Sequence, residues 1–361
     1  MRRVTFIAAV ERRRTAHAIE PRSLVSLRGS RDSSHNAGRN VTARHGGRVM
    51  AVLGAVITLV AVTVASGGAA SSASAGQLET VTIATAPFEP TALAFYANAR
   101  GLFRKHGIDA KLAVTADPGA GIAAMLAGDA QFTATHAGGP GLLRSRGAPV
   151  RLVAAGALYQ RAAPTAGLVS ARGKRFAAPR ELVGKRVGYD APGTIAHIAL
   201  MKWLKQGGVR ESDLTLVRAA FPDMIGALAR GDVDAAVLPE PFLTVAKKQG
   251  GNLVAPIFQS VCASECLLTA WIARSDVDRN LAARFRNAIQ EAAAWANREQ
   301  NDAASAAILA RHANIERGLL RAMARSRFAI RLRLQRIQPW IDAYKEFGLI
   351  PEAFTVGDLV K

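Results

Sequence analysis

Acids and cysteines are the scarce side chains of this sequence. Asp and Glu number 27 in 361 residues against 47 Lys and Arg, which leaves a formal charge of +20. Cysteine occurs twice, at Cys262 and Cys266. With none before position 262, lipid attachment at a signal-peptide cysteine is excluded. A zinc site would need two further ligands, and none of the 7 His lies near that pair in sequence. There is no HExxH, no Gly-x-Ser-x-Gly and no P-loop, and Gly119-Ala-Gly121 is too short for a dinucleotide fingerprint. No catalytic constellation stands out, so the chain reads as a non-enzyme without cofactor or metal. Aromatics are sparse as well, at 6%. Eight Arg recur between positions 311 and 336 with Phe328 as the single aromatic among them. A nucleic-acid groove would interleave rings with that charge, so a solvated helix face is the better reading and no nucleic-acid partner is expected.

Much of the positive charge sits outside the expected folded region. Residues 1–75 hold 11 of the Arg, no Lys and 3 of the acids. Positions 49–64 then run without a charge, and small residues follow, with Ala73-Ser74-Ala75 placed for a peptidase. That pattern predicts a secretory signal cleaved after Ala75, with an uncleaved membrane anchor as the alternative. A start near Val41 would leave Arg44, His45 and Arg48 as a compact basic leader. Export yields a periplasmic protein. In that compartment Cys262 and Cys266 read as a local disulfide, two buried thiols being the alternative.

From position 76 onward helix and strand signals alternate. Strands are predicted at 80–84, 110–114, 130–135 and 150–155, with helices between them. The pattern restarts at 167–170, 187–189 and 235–238, and a last strand at 268–273 returns towards the first set. From 276 the periodicity is helical. The fold class is therefore α/β: two lobes, each a mostly parallel sheet flanked by helices, joined by two crossings. The expected boundaries are 1–75 for the extension and signal, 76–165 for the first part of lobe 1, 166–274 for lobe 2, and 275–361 for the helical remainder of lobe 1. LAGDAQFTAT at 126–135 and LARGDVDAAV at 228–237 share a helix, Gly-Asp turn and strand, a short echo of internal duplication.

Several segments in register carry a family likeness. They are Gly101-Leu-Phe with Lys105-His-Gly-Ile108, Leu126-Ala-Gly-Asp129, Gly147-Ala-Pro-Val150, Leu182-Val-Gly-Lys-Arg-Val-Gly188, Gly193-Thr-Ile-Ala-His197, and Gly231-Asp-Val-Asp-Ala-Ala236 with Glu240-Pro-Phe242. Over about positions 80 to 350 the chain resembles the nitrate/sulfonate/taurine type of ABC-transporter substrate-binding protein, a type 2 periplasmic-binding-protein fold. The resemblance implies a monomer that closes two lobes over a small solute and hands it to an inner-membrane permease with its ATPase. It also implies four cleft loops, which fall here on Pro87, Phe88 and Glu89; on His136, Gly138 and Gly139; on Gly193, Thr194, Ile195, Ala196 and His197; and on Glu240. All four follow the C-terminal ends of strands, where open α/β sheets bind ligands.

The chemistry of those loops has two readings each. Thr194 and the N–H groups after it suit an oxyanion such as a sulfonate, or else Thr194 merely caps its helix. His197 faces the cleft or the core. Phe88 is an aromatic wall or a packing residue. Gly138 and Gly139 allow close backbone approach, or simply form a turn before Pro140. Glu89 and Glu240 pointing inward would favour an amine-bearing ligand such as an aminosulfonate or aminopyrimidine, whereas pointing outward they would leave room for a simple anion.

Overall fold

The computed structural model describes residues 77–360. The extension, the charge-free run and the expected cleavage site after Ala75 lie outside these residues. Thirteen strands are present: β1 (Glu79–Thr85), β2 (Ile108–Val114), β3 (Phe132–His136), β4 (Val150–Ala155), β5 (Ala157–Gln160), β6 (Ala166–Ser170), β7 (Arg186–Tyr189), β8 (Thr215–Arg218), β9 (Ala235–Pro239), β10 (Leu253–Ala255), β11 (Glu265–Leu267), β12 (Thr269–Arg274) and β13 (Arg327–Phe328). They build two five-stranded sheets in the orders β2-β1-β3-β12-β4 and β10-β6-β9-β7-β8.

Read from its other edge, the second sheet repeats the first. In each sheet the first strand of the unit lies between the second and the third, and one strand runs against all the others. That reversed strand is β12 in the first sheet and β6 in the second. These are the strands by which the chain enters the second sheet and returns to the first. They enter their sheets directly from a crossing segment instead of through a helix, which is why they run antiparallel. The sequence echo lies at matching places in this repeat. The helices Pro118–Ala127 and Phe221–Arg230 both end on a left-handed glycine, Gly128 at φ 92° and Gly231 at φ 76°. Asp129 and Asp232 then donate their N–H groups back to Ala124 and Ala227 at 2.9 and 2.8 Å. This is the orphan-carbonyl closure that a left-handed cap provides, and β3 or β9 follows at the centre of its sheet.

The crossings pair with each other. β5, just before β6, and β11, just before β12, form an antiparallel ribbon with β13 as its third strand. Cys262 and Cys266 are bonded to each other at the start of β11, with Cα atoms 5.9 Å apart, and Cys266 pairs with Tyr159 of β5.

Packing explains where the helices go. Helix Arg279–Ala296 buries Leu281, Phe285, Ala288, Ile289 and Ala292 along one stripe. Phe285 stacks on Phe132 of β3 with centroids 3.9 Å apart, so this helix covers the first sheet. Helix Gln338–Glu346 differs. It buries Trp340, Ile341 and Tyr344, and Glu346 pairs with Lys202 and Lys205 of the second unit's helix Ile195–Gln206 at 2.8 and 2.7 Å. The tail therefore reaches beyond the first sheet and ties both units together. The described residues belong to one compact unit, and among them no helix is long and apolar enough to cross a membrane.

Candidate functional site

The C-terminal ends of six strands, three from each sheet, converge on one cavity of about 420 Å³. From the first sheet come Phe88 after β1, Asp117 after β2 and His136 at the end of β3. From the second come Asp190 after β7, Arg218 and Phe221 after β8, and Pro239 of β9. Phe88 and Phe221 meet edge to face across the two sheets at 5.7 Å. With buried Phe258 they give the cavity an apolar wall.

Of the residues expected from sequence, Phe88, His136, Thr194, Ile195 and Ala196 line this cavity. Pro87, Glu89, Gly138, Gly139, Gly193, His197 and Glu240 are not among its lining residues, and each has another occupation or lies nearby.

Thr194 is the N-cap of helix Ile195–Gln206, accepting from the His197 N–H at 3.3 Å. Its hydroxyl proton goes to the Asp190 carboxylate at 2.6 Å or to the Ala191 carbonyl at 3.0 Å. The hydroxyl expected to meet an oxyanion is thus already engaged by the chain's own carboxylate. Asp190 occupies the place beside a helix start that an external anion would favour. Burial pushes its pKa above the usual carboxylate range, against the lowering by Thr194 and the neighbouring backbone N–H groups.

His197 is buried and paired on both ring nitrogens. Nδ1 accepts from the Gly193 N–H at 3.1 Å, which leaves Nε2 to donate to Glu211 at 3.1 Å. It serves the turn that presents the helix start. His136 is different: it lines the cavity, with Nδ1 3.4 Å from the Tyr344 hydroxyl. Burial alone pulls its pKa down to about 4, so it is neutral at ordinary pH.

Glu89 and Glu240 belong to the junction of the two sheets and are buried, at 0% and 2% exposure, so neither is a surface acid at a cleft mouth. Glu89 accepts from Tyr96 at 3.1 Å and from the Ser326 N–H at 3.4 Å, and pairs with Arg325 at 3.1 Å. Desolvation raises its pKa, and the Arg325 guanidinium opposes that. Glu240 accepts from the Thr244 N–H and hydroxyl at 3.1 and 2.9 Å, and also from the Ala324 N–H. Desolvation again raises it. One short segment, Ala324 to Ser326, thus contacts an acid from each unit, and the Glu89 N–H donates directly to the Glu240 carbonyl at 3.3 Å. Carboxylates this deep are retained in folds when paired or hydrogen-bonded, as these are.

The glycines also answer to packing. A Cβ on Gly138 would stand 2.2 Å from the Tyr344 ring, and one on Gly139 would stand 2.6 Å from Thr135 Oγ1. The space beside them is taken by side chains of the protein.

Sequence reasoning missed Asp117, Asp190, Arg218 and Phe221. The rule that pointed to β1, β3, β7 and β9 applies equally to β2 and β8, whose ends supply three of the four. Asp190 is the residue next to Tyr189, at the end of β7. Asp117 caps its helix through Ala120 N–H at 2.9 Å. Among the described residues no group of three or more His, Cys, Asp or Glu is placed to hold a metal ion.

Known proteins resemble this arrangement at several levels. The taurine-binding periplasmic protein of Escherichia coli (strain K12) is 31% identical over 77 residues, which span 21% of this chain and 24% of that relative. The match thus covers about a quarter of the curated relative's length. In fold, the chain is similar to the alkanesulfonate-binding protein SsuA from Xanthomonas axonopodis pv. citri, with a TM-score of 0.66 at 15% identity over 79% of this chain and 99% of that one. It is also similar to the desulfurization enzyme DSZB, with a TM-score of 0.58 at 16% identity over 78% and 96% of the two chains. At these identities the likeness is of architecture, and it is shared by a binding protein and an enzyme. The NMT1/THI5-like family model matches residues 90–303, more than half of the sequence, including both sheets' central strands and most of the cavity lining. The chain belongs to the NMT1/THI5-like family.

Proposed function

We propose that this protein is an exported solute receptor of an ABC importer. It holds a small anionic or zwitterionic organic solute between two lobes, bounded at 76–165 with 275–361 and at 166–274, and delivers it to an inner-membrane permease with its ATPase. The observation that carries the reading is the position of the cavity, walled by strand ends of both sheets. A solute touching both walls favours the arrangement in which the walls are close, which is the differential affinity a hinge motion requires. The names of the taurine- and alkanesulfonate-binding relatives support a solute of that general size and polarity. The one lining hydroxyl that meets a carboxylate, Thr194 on Asp190, is committed to capping its own helix, so capture without turnover is the simpler chemistry. Periplasmic location and action as a monomer belong to the same reading.

A thermal-shift screen against sulfonates, nitrate, amines, aminopyrimidines, carboxylates and phosphonates tests it. A ligand at 100 times its Kd stabilises the fold by about 2.7 kcal/mol, a readily measured shift. Chemical conversion of the bound compound, or silence across the whole panel, would sink the receptor reading.

A further inference from the structure

The ionisable groups of the cavity are unevenly divided. Two carboxylates line it, Asp117 from the first sheet's side and Asp190 from the second's, against one guanidinium, Arg218. His136 contributes no charge at ordinary pH because its pKa lies at about 4. Arg218 is solvent-exposed, where water and salt weaken its hold on an anion, while the carboxylates are half-buried. Each carboxylate is also oriented by the fold: Asp117 by the Ala120 N–H at 2.9 Å and Asp190 by the Thr194 hydroxyl at 2.6 Å. The remaining wall is apolar and aromatic, with Phe88, Phe221 and Phe258.

We infer that the solute carries a protonated amine, received by Asp190 and Asp117, with an apolar body lying on the phenylalanine wall. This rests on the receptor reading and narrows it. An ammonium supplies three donors to the carboxylates, and ring faces attract a cation. A plain anion entering the same place meets Asp190 where it would need an unopposed helix end. The two carboxylates stand on opposite sheets. An ammonium that reaches both therefore couples amine recognition to closure. Arg218 at the rim is placed for an anionic group at the far end of a zwitterion.

The test compares benzylamine and 2-phenylethylamine with benzenesulfonate and phenylacetate, by thermal shift and calorimetric titration of the purified protein. The amines are expected to stabilise it and the matched anions not. Asp190→Asn keeps an acceptor for Thr194 but loses the charge, and should weaken amine binding at least tenfold. Asp117→Asn serves as the second variant, with near-UV circular dichroism showing that each is folded. Tighter binding of the anions, or equal amine affinity in both folded variants, overturns the inference. So does silence of both amines, and a response elsewhere in the wider solute screen would then leave the receptor reading standing.

Discussion

The hydroxyl of Tyr344 donates to the Gly193 carbonyl across 2.6 Å, joining helix Gln338–Glu346 to the turn that presents the cavity's helix start. The same hydroxyl lies 3.4 Å from His136 Nδ1, so one side chain touches a cavity loop from each sheet. Burial pushes the Tyr344 phenol well above its usual range, which keeps it a donor. Tyr344→Phe leaves a buried carbonyl unpaired, at a cost of about 1–3 kcal/mol. For a domain of this size that is a melting-point drop of about 2–4 °C per kcal/mol. The variant should also change solute affinity, because the turn it releases carries Thr194. A melt unchanged within 1 °C (a threshold of about 0.3–0.5 kcal/mol) would mean that the contact is not made in solution.

Gly138 gives an independent check of the same packing. With its Cβ position 2.2 Å from the Tyr344 ring, Gly138→Ala forces the ring or the loop to shift. Overpacking of this kind costs about 1–3 kcal/mol. In the Tyr344→Ala background the added methyl has room, so the penalty should largely vanish. A double-mutant cycle in chemical denaturation reads the coupling, and additive effects would contradict it.

Strong periodicity made the central strands and long helices legible in sequence. Strands predicted at 80–84, 110–114, 130–135 and 235–238 lie within a residue or two of β1, β2, β3 and β9. β5, β8, β10, β11 and β13 are absent from the expected strands, because each is only two to four residues long. Their pairing comes from neighbours distant in sequence, which no local pattern records. The site was half legible for a related reason. Strand ends located the loops, but which side chain faces the cavity depends on tertiary partners. Glu89 turns to Arg325, 236 positions later, and Glu240 to Thr244, and neither pairing is written in the motifs that drew attention to them.

Thr194 separates a structural role from a ligand contact. As an N-cap bonded to His197 N–H and Asp190, it holds the helix and the acid together. Thr194→Ala should lower the stability of the unliganded protein by about 1 kcal/mol. Thr194→Ser, which keeps the oxygen, should recover most of it. Unchanged melting of the alanine variant with a large loss of affinity would restore the hydroxyl to the role of a direct ligand group.

The bond between Cys262 and Cys266 closes a short loop beside the crossing ribbon. In the chain-entropy account a loop this small contributes about 2 kcal/mol. Mass spectrometry of protein isolated without reductant should find both cysteines blocked to alkylation. After reduction, the double serine variant and the reduced parent should melt at the same lower temperature. Free thiols in protein recovered from an oxidising compartment would contradict the pairing.

His136 makes the protein's stability depend on pH in the sense opposite to that of its buried carboxylates. Its folded pKa is about 4, depressed by burial at the cavity wall, against an ordinary value of 6.5. The folded state therefore disfavours the proton that the unfolded chain accepts. The stabilisation is complete above 6.5 and is lost as pH falls towards 4. Its size is on the order of 2–3 kcal/mol, tempered by the partial access of water to the cavity. Glu89, Asp190 and Glu240, raised by burial, act in the opposite sense: their contribution declines as pH rises above the ordinary carboxylate range. His136→Asn should remove the histidine's loss of unfolding free energy on acidification from pH 6.5 to 5, read as the difference between variant and parent in urea titration at fixed ionic strength. Parallel profiles of variant and parent from pH 7 to 5 would show that the cavity wall does not exclude the charged imidazole.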